Sequence, residues 1–247
     1  MKSVIAVRNV TKTYIDGSVR VPALRGVDLD VHAGEITMLL GPSGSGKTTL
    51  LSIMGCILKA TSGSICIAGQ EVGNLPESEL PRIRLEHFGF VFQGFNLFPA
   101  LTAGENIELM LDLKGVDKTQ ARKRAHELLE RFGLADKFHT FPANLSVGQK
   151  QRVAIARAIA GDPRIILADE PTASLDWDSG RTVMDLLRDL AHEWGRAVVV
   201  VTHDPRVLEF ADRTVRMEDG TIADSSPDMA APAELMTQPI HEHASSL

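Results

Sequence analysis

Residues 36–54 read Ile36-Thr-Met-Leu-Leu-Gly-Pro-Ser-Gly-Ser-Gly-Lys-Thr-Thr-Leu-Leu-Ser-Ile-Met54. A short apolar run, Ile36–Leu40, ends on Gly41-Pro42-Ser43-Gly44-Ser45-Gly46-Lys47-Thr48. After it, Leu50, Leu51 and Met54 share one face of a predicted helix. Strand, glycine loop and helix in this order make a cradle for polyphosphate. Glycines let the backbone wrap closely with its N–H groups turned inward, and the helix adds its positive end. Lys47 is placed to reach terminal phosphates and the Thr48 hydroxyl to bind Mg²⁺. Residues Gly41 to Thr49 are therefore the candidate nucleotide-binding stretch. The plain alternative is a glycine turn that binds nothing; the length of the pattern and its context tell against it. The loop by itself does not separate a kinase, a GTPase and a transport ATPase.

Two more apolar runs match the first. Residues 165–168, Ile-Ile-Leu-Ala, deliver the adjacent carboxylates Asp169 and Glu170. Ala197–Val201 leads into Thr202-His203-Asp204. Runs this apolar fit strands buried on both faces, as in a mainly parallel sheet covered by helices. Open sheets of that kind bind ligands at the carboxyl ends of neighbouring strands. There Asp169 can hold Mg²⁺ and Glu170 can activate an attacking water as general base. His203 can hold a γ-phosphate and that water. A solvated acidic turn and a merely hydrogen-bonding histidine are the competing readings. The apolar strand before Asp169 tells against the first.

Elsewhere Val27, Leu29 and Val31 alternate with polar residues, the period of a half-buried strand. Residues 64–68 and Phe88–Phe92 also read as strands, residues 16–22 as a loop, and residues 47–57 as a helix. The pattern is helical from about residue 94 to 160. Within it Ala121, Ala125, Leu128, Leu129 and Phe132 form one apolar stripe, with Gly133 as a stop. Residues 178–194 read as helix, and Asp219-Gly220 as a hairpin turn. The expectation is an α/β fold with a mainly parallel core sheet, residues 1–93 and 159–224. It carries an N-terminal antiparallel β subdomain and an inserted α-helical subdomain at residues 94–158. Residues 225–247 read as a loosely held extension. His241 and His243 could bind a metal, but a solvated terminus is the plainer reading.

The composition, 247 residues with 44% hydrophobic and 23% charged, is globular rather than disordered. Lys and Arg number 26 against 32 Asp and Glu, a net charge of −6, which argues against sequence-independent nucleic-acid binding. No run nears the roughly 20 apolar residues of a membrane span, and MKSVIAVRNV lacks the apolar stretch of a signal peptide. Cys56 and Cys66 have no metal-ligand spacing, so a reducing cytoplasmic setting is expected.

Leu145-Ser146-Val147-Gly148-Gln149 precedes Lys150-Gln151-Arg152-Val-Ala-Ile-Ala-Arg157. With the glycine loop, Gln93, Asp169-Glu170 and His203, this series resembles the ATP-binding subunit of an ABC transporter (a P-loop NTPase) over nearly all of residues 4–224. The resemblance implies a head-to-tail dimer of two copies with two ATP molecules at the interface. Each ATP would lie between the glycine loop of one copy and Ser146, Gly148 and Gln149 of the other. The resemblance also implies that Tyr14 stacks on adenine, a half-buried strand tyrosine being the alternative. Gln93 would sense metal and nucleophile, and Asp176 would sit in a loop that communicates across the dimer. The implied catalytic set is Lys47, Gln93, Glu170 and His203, and the implied Mg²⁺ set is Thr48, Gln93 and Asp169. Val147 stands where the family has glycine, and a β-branched residue does not take a positive φ cheaply.

Residues 9–14, 39–51, 54–56, 61–63, 90–102 and 105–107 are most similar to the macrolide-export, lipoprotein-release and cell-division group. That likeness implies ATP hydrolysis energising a separate membrane permease, from the cytoplasmic face of the cell membrane. It favours export or extraction of a lipid, lipoprotein, peptide or drug-like substrate. A nucleotide-switched regulator or force transmitter on an envelope protein would carry the same motifs. A DNA-repair or chromosome ATPase would add coiled-coil heptads or zinc modules, which this sequence lacks. A simple kinase would leave His203 and residues 146–149 unexplained. Phe95, Leu97, Phe98 and Leu101 either receive a coupling helix from the permease or fill the helical subdomain's own core.

Overall fold

The computed structural model describes residues 3–226. In chain order these form β1 (Ser3–Asp16), β2 (Val19–His32), β3 (Ile36–Leu40), α1 (Lys47–Met54), β4 (Ser62–Ile67) and β5 (Gln70–Glu71). Next come α2 (Leu80–His87), β6 (Phe88–Phe92), α3 (Ala103–Leu113), α4 (Lys118–Arg131) and α5 (Val147–Ala160). The chain continues through β7 (Ile165–Asp169), α6 (Trp177–His192), β8 (Ala197–Val201), β9 (Arg213–Glu218) and β10 (Thr221–Ser226).

The run before the glycine loop, β3, lies inside a six-stranded sheet ordered β10-β9-β3-β8-β7-β6. All its pairings are parallel except β9 with β10. A four-stranded antiparallel sheet, β2-β1-β4-β5, is separate from it. Side chains alternate between the faces of a strand, and here each face meets its own core. Met38, Ile166, Ala168, Val198 and Val200 pack with α3, α4, α5 and α6. Leu39, Leu167, Val199 and Val201 pack with α1, α2 and the antiparallel sheet. Burying a Val or Leu side chain stabilises by roughly 1.5–3 kcal/mol. Strands with no polar alternation therefore demand cover on both sides, as the uninterrupted valines of β8 require.

Local signals fix the helix ends. The Asp117 carboxylate caps α4 by accepting from Thr119 N–H at 2.9 Å, and the stripe Ala121, Ala125, Leu128, Leu129 is buried. Thr102 with Glu105, and Ser146 with Gln149, form reciprocal capping boxes at α3 and α5. Asp219 and Gly220 both adopt positive φ, as the hairpin turn requires.

Three expectations are corrected. Residues 16–22 are not a loop: Asp16 pairs with Val19 and Thr13 with Pro22, so Gly17-Ser18 closes a tight hairpin. The first helix stops at Met54 rather than residue 57, because Gly55 caps it and Cys56 turns to φ 56°. Helix α2 buries only Leu80, Ile83 and His87. The extension does not begin at residue 225, since β10 runs on to pair Ser226 with Thr214. His241 and His243 lie outside the described residues.

The glycine loop is braced from the far end of the chain. Gly220 N–H donates to Ser45 O at 3.2 Å, and Arg25 N–H donates to Gly220 O at 2.8 Å. The turn between β9 and β10 thus joins the loop to β2. A Cβ on Gly41 (φ +145°) would stand 2.2 Å from Met217 O, so only glycine fits there.

Candidate active site

The loop leaves β3 at Gly41 and enters α1 at Lys47. Lys47, 8% exposed, closes it: Nζ donates to Gly41 O and Pro42 O, both at 2.8 Å. Burial pulls the Lys47 ammonium below its usual pKa, opposed by the nearby Glu170 and Asp169 carboxylates. Thr48 Oγ1 donates to Asp169 Oδ1 at 3.2 Å. The Asp169 carboxyl is pushed above the usual range, chiefly by burial and further by Glu170, against the Thr48 bond and Lys47.

Strand β7 ends at Asp169, and its partner β8 ends at Val201, directly opposite. The residues just beyond, Glu170 and His203, meet at 2.7 Å between Oε1 and Nδ1. Glu170 has φ 49°, a strained region for a non-glycine residue. A cleft of 280 Å³ is lined by Ser43, Gly44, Gly46, Lys47, Thr48, Thr49, Glu170 and His203. The structure thus gathers the loop, both carboxylates and the histidine at one sheet edge. Such a cleft can take a polyphosphate on backbone N–H groups and Lys47, with Glu170 beside it as a proton acceptor.

Other expected residues lie around this cleft. Tyr14 is 43% exposed, so it is not packed as a core residue. Its hydroxyl lies 3.4 Å from Thr49 Oγ1, and Lys12 Nζ stands 5.3 Å from its ring centroid. Gln93 is exposed and follows Phe92, the strand partner of Asp169, but does not line the cleft. Ser146 and Gly148 line a second cleft of 190 Å³, with Arg152 and Ser179. Ser146 N–H donates to Gln149 Oε1 at 2.9 Å, so the Gln149 amide is engaged in capping its own helix. The first-turn N–H groups of Val147 and Gly148 have no intrahelical acceptor. Val147 opens α5 without a positive φ, so its branched side chain meets no backbone obstacle. Asp176 caps α6, accepting from Ser179 N–H at 2.9 Å and Ser179 Oγ at 2.8 Å.

The loop after β6 answers the question left for Phe95, Leu97, Phe98 and Leu101 in part. Leu97 packs against the helical core, while Phe98 is 50% exposed. Arg157 and Asn106 hold the loop from behind: Arg157 donates to Phe95 O at 2.9 Å and to Asn96 O, and Asn106 Nδ2 to Leu101 O at 3.0 Å. Neither residue was assigned a role from sequence. Gln151 was not either, although it is fully buried on α5. A polar residue on the apolar face of a helix was the one available signal.

The fold and the cleft define a P-loop nucleotide-binding protein. A family model described as "ABC transporter" matches residues 24–173. An uncharacterized ABC transporter ATP-binding protein of Thermotoga maritima is 48% identical over 222 residues, 90% of this chain and 94% of that protein. The macrolide export ATP-binding/permease protein MacB of Escherichia coli K12 is 44% identical over 227 residues, 92% of this chain and 35% of MacB. The chain thus spans about a third of MacB. Among solved structures, a dimeric ATP-binding cassette in a post-hydrolysis state, bound to ADP and Pi, superposes with a TM-score of 0.83 at 45% identity. That match covers 90% of this chain and 97% of the cassette. CbiO1 of Clostridium perfringens, part of an ABC transporter complex, matches with a TM-score of 0.82 at 28% identity, covering 92% of this chain and 89% of that one. The chain belongs to the ABC transporter family, as an ATP-binding cassette and ATPase. Among the described residues, no helix is long and apolar enough to cross a membrane.

Proposed function

We propose that two copies of this chain join head to tail around two ATP molecules and drive a separate membrane permease, on which they sit peripherally at the cytoplasmic face. The observation that carries the reading is the division of the site. The first cleft holds the phosphate loop with Glu170 and His203, and a second, separate cleft holds Ser146 and Gly148 at the start of α5. Neither encloses a nucleotide alone; facing each other in a dimer, they do.

In this mechanism loop N–H groups and Lys47 bind the phosphates, and Tyr14 stacks on the base. Thr48 Oγ1 and Asp169 Oδ1, both hard oxygen donors and 3.2 Å apart, would hold Mg²⁺, and Gln93 is the further residue assigned to it. Bound Mg²⁺ would supply charge neutralisation on the phosphate oxygens. Glu170 accepts a proton from water as the water oxygen bonds to the γ-phosphorus and the bond to ADP breaks. His203 would hold the carboxylate through Nδ1–H, and Nε2–H of the doubly protonated ring would donate to a γ-phosphate oxygen. Ser146, Gly148 and Gln149 of the second copy close over that phosphate. Binding therefore favours the closed dimer, and loss of the γ-phosphate reopens it. Residues 94–158 act as a helical arm on a core of residues 1–93 and 159–224. By likeness to the macrolide-export, lipoprotein-release and cell-division group, the cargo proposed is a lipid, lipoprotein, peptide or drug-like molecule moved outward or extracted from the membrane.

The test is light scattering of Glu170→Gln with ATP and Mg²⁺. The expected result is a stable dimer that releases phosphate about 10²–10⁴-fold more slowly than the parent. A monomer under every nucleotide condition, or hydrolysis at the parent rate, overturns the reading.

A further inference from the structure

The geometry points to Gln151 as the positioning residue that holds the Glu170 turn and links it to the start of α5; this rests on the proposed role of Glu170 as general base. Gln151 is 0% exposed and sits among the apolar residues of α5. Its Nε2 donates to Pro171 O at 2.8 Å. Its Oε1 is buried with no hydrogen-bond partner among the described residues. A half-satisfied buried amide costs free energy that a methionine of the same length avoids. Stability therefore does not account for an amide here.

What the bond reaches does account for it. Pro171 directly follows Glu170, whose backbone is held at φ 49°. Strain of this kind persists only where the surroundings over-determine it. Glu170 N–H donates to Val201 O at 2.9 Å, and Ala173 N–H donates to Glu170 O at 3.3 Å. Those are main-chain contacts within the sheet edge and its own turn. From another element, His203 meets only the Glu170 side chain, whereas Gln151 bonds the backbone of the turn itself, at Pro171 O. The outcome is a carboxylate delivered 2.7 Å from His203. Gln151 touches neither nucleotide nor reacting atoms, so its action passes through Glu170.

The helix gives this tie a direction. Gln151 lies five residues beyond Ser146, about 7.5 Å along the axis at 1.5 Å per residue. In the proposed dimer Ser146 and Gly148 face the partner copy's γ-phosphate. A shift of α5 made by that contact moves Gln151, and with it the Pro171 carbonyl and the Glu170 turn. The carboxylate in one site is thereby made to depend on the phosphate in the other.

Gln151→Met and Gln151→Glu test the assignment, each also placed in the Glu170→Gln background. The expected result for Gln151→Met is a kcat about tenfold lower, with ATP Kd and Tm unchanged and the Hill coefficient for ATP reduced. Gln151→Glu, which sets a carboxylate against the Pro171 carbonyl, falls further. In the Glu170→Gln background the residual rate stays within twofold on adding Gln151→Met, because the group being positioned is gone. A folded Gln151→Met protein with kcat within twofold of the parent overturns the assignment. So does an equal fall in both backgrounds, or a loss of ATP affinity matching the loss of rate. Should Gln151→Met not fold, the isosteric Gln151→Glu carries both arms. Glu170→Gln alone reports on the base: if it keeps the full rate, the base role fails whatever Gln151 does.

Discussion

Glu170 Oε1 and His203 Nδ1 lie 2.7 Å apart, across the ends of two strands whose register sets Asp169 opposite Val201. The contact fixes the ring. With Nδ1–H donating to the carboxylate, Nε2 of the neutral imidazole is left as an acceptor, and of the protonated ring as a second donor.

His203→Ala removes that restraint without touching the phosphate loop. The expected kcat is on the order of 10²-fold lower, as for loss of the group that positions the proton acceptor, with a much smaller loss of ATP affinity from the missing γ-phosphate contact. Phosphate release and calorimetry on the same sample check this. A variant keeping half the parent rate would remove His203 from the reaction.

Lys47→Ala opens the loop, because the ammonium that gathers Gly41 O and Pro42 O is gone. ATP affinity should weaken at least tenfold, about 1.4 kcal/mol. Calorimetry at fixed ionic strength measures it, and an unchanged Kd contradicts the binding role of the loop.

Asp169→Asn separates stability from chemistry. Burial raises the Asp169 pKa in the folded protein, so its charged form is disfavoured by folding. With the folded value above the unfolded one, the native state binds the extra proton. Stability from this group is present at low pH and lost as pH rises through the raised pKa. Asparagine carries no charge, so at neutral pH the nucleotide-free variant should melt higher than the parent. That advantage should shrink as pH falls below the raised value, while hydrolysis is abolished. Thermal melts from pH 4 to 8 give the sign; a variant that melts lower at pH 7 refutes the argument.

Ser146→Ala deletes the bond from Gln149 N–H to the serine hydroxyl. Loss of such a cap costs about 1 kcal/mol, readable in urea unfolding. ATP binding by the single chain should be unaffected, since Ser146 lies in the other cleft. Hydrolysis should fall, and full activity would place the serine outside the composite site.

Much of this architecture is legible in the letters because it is local. A glycine loop between an apolar run and a helix, and an apolar run ending in Asp169-Glu170, each carry their meaning within a few residues. The parallel pairing of β7 with β8 follows from uninterrupted apolar strands, and the meeting of Glu170 with His203 follows from that pairing. Other features leave no local trace. Gln151 meets Pro171 across 20 residues of chain; its polar side chain on an apolar helix face is a signal, but nothing local names its partner. The positive φ of Glu170 falls on a residue type that gives no warning of it. Helix α2 is short and buries only Leu80, Ile83 and His87, too little for a periodic pattern. The hairpin closed at Gly17-Ser18 reads in the sequence as a loop over residues 16–22, and β2 accommodates Pro22 there in its pairing with Thr13.

The brace between Gly220 and Ser45 bears on how the polypeptide is made. The phosphate cradle is translated early, yet the turn that fixes its shape is among the last described residues to leave the ribosome. A nascent chain stalled before Gly220 should therefore pass over ATP-agarose unretained, and competence for the nucleotide should arrive late in synthesis, in a single step.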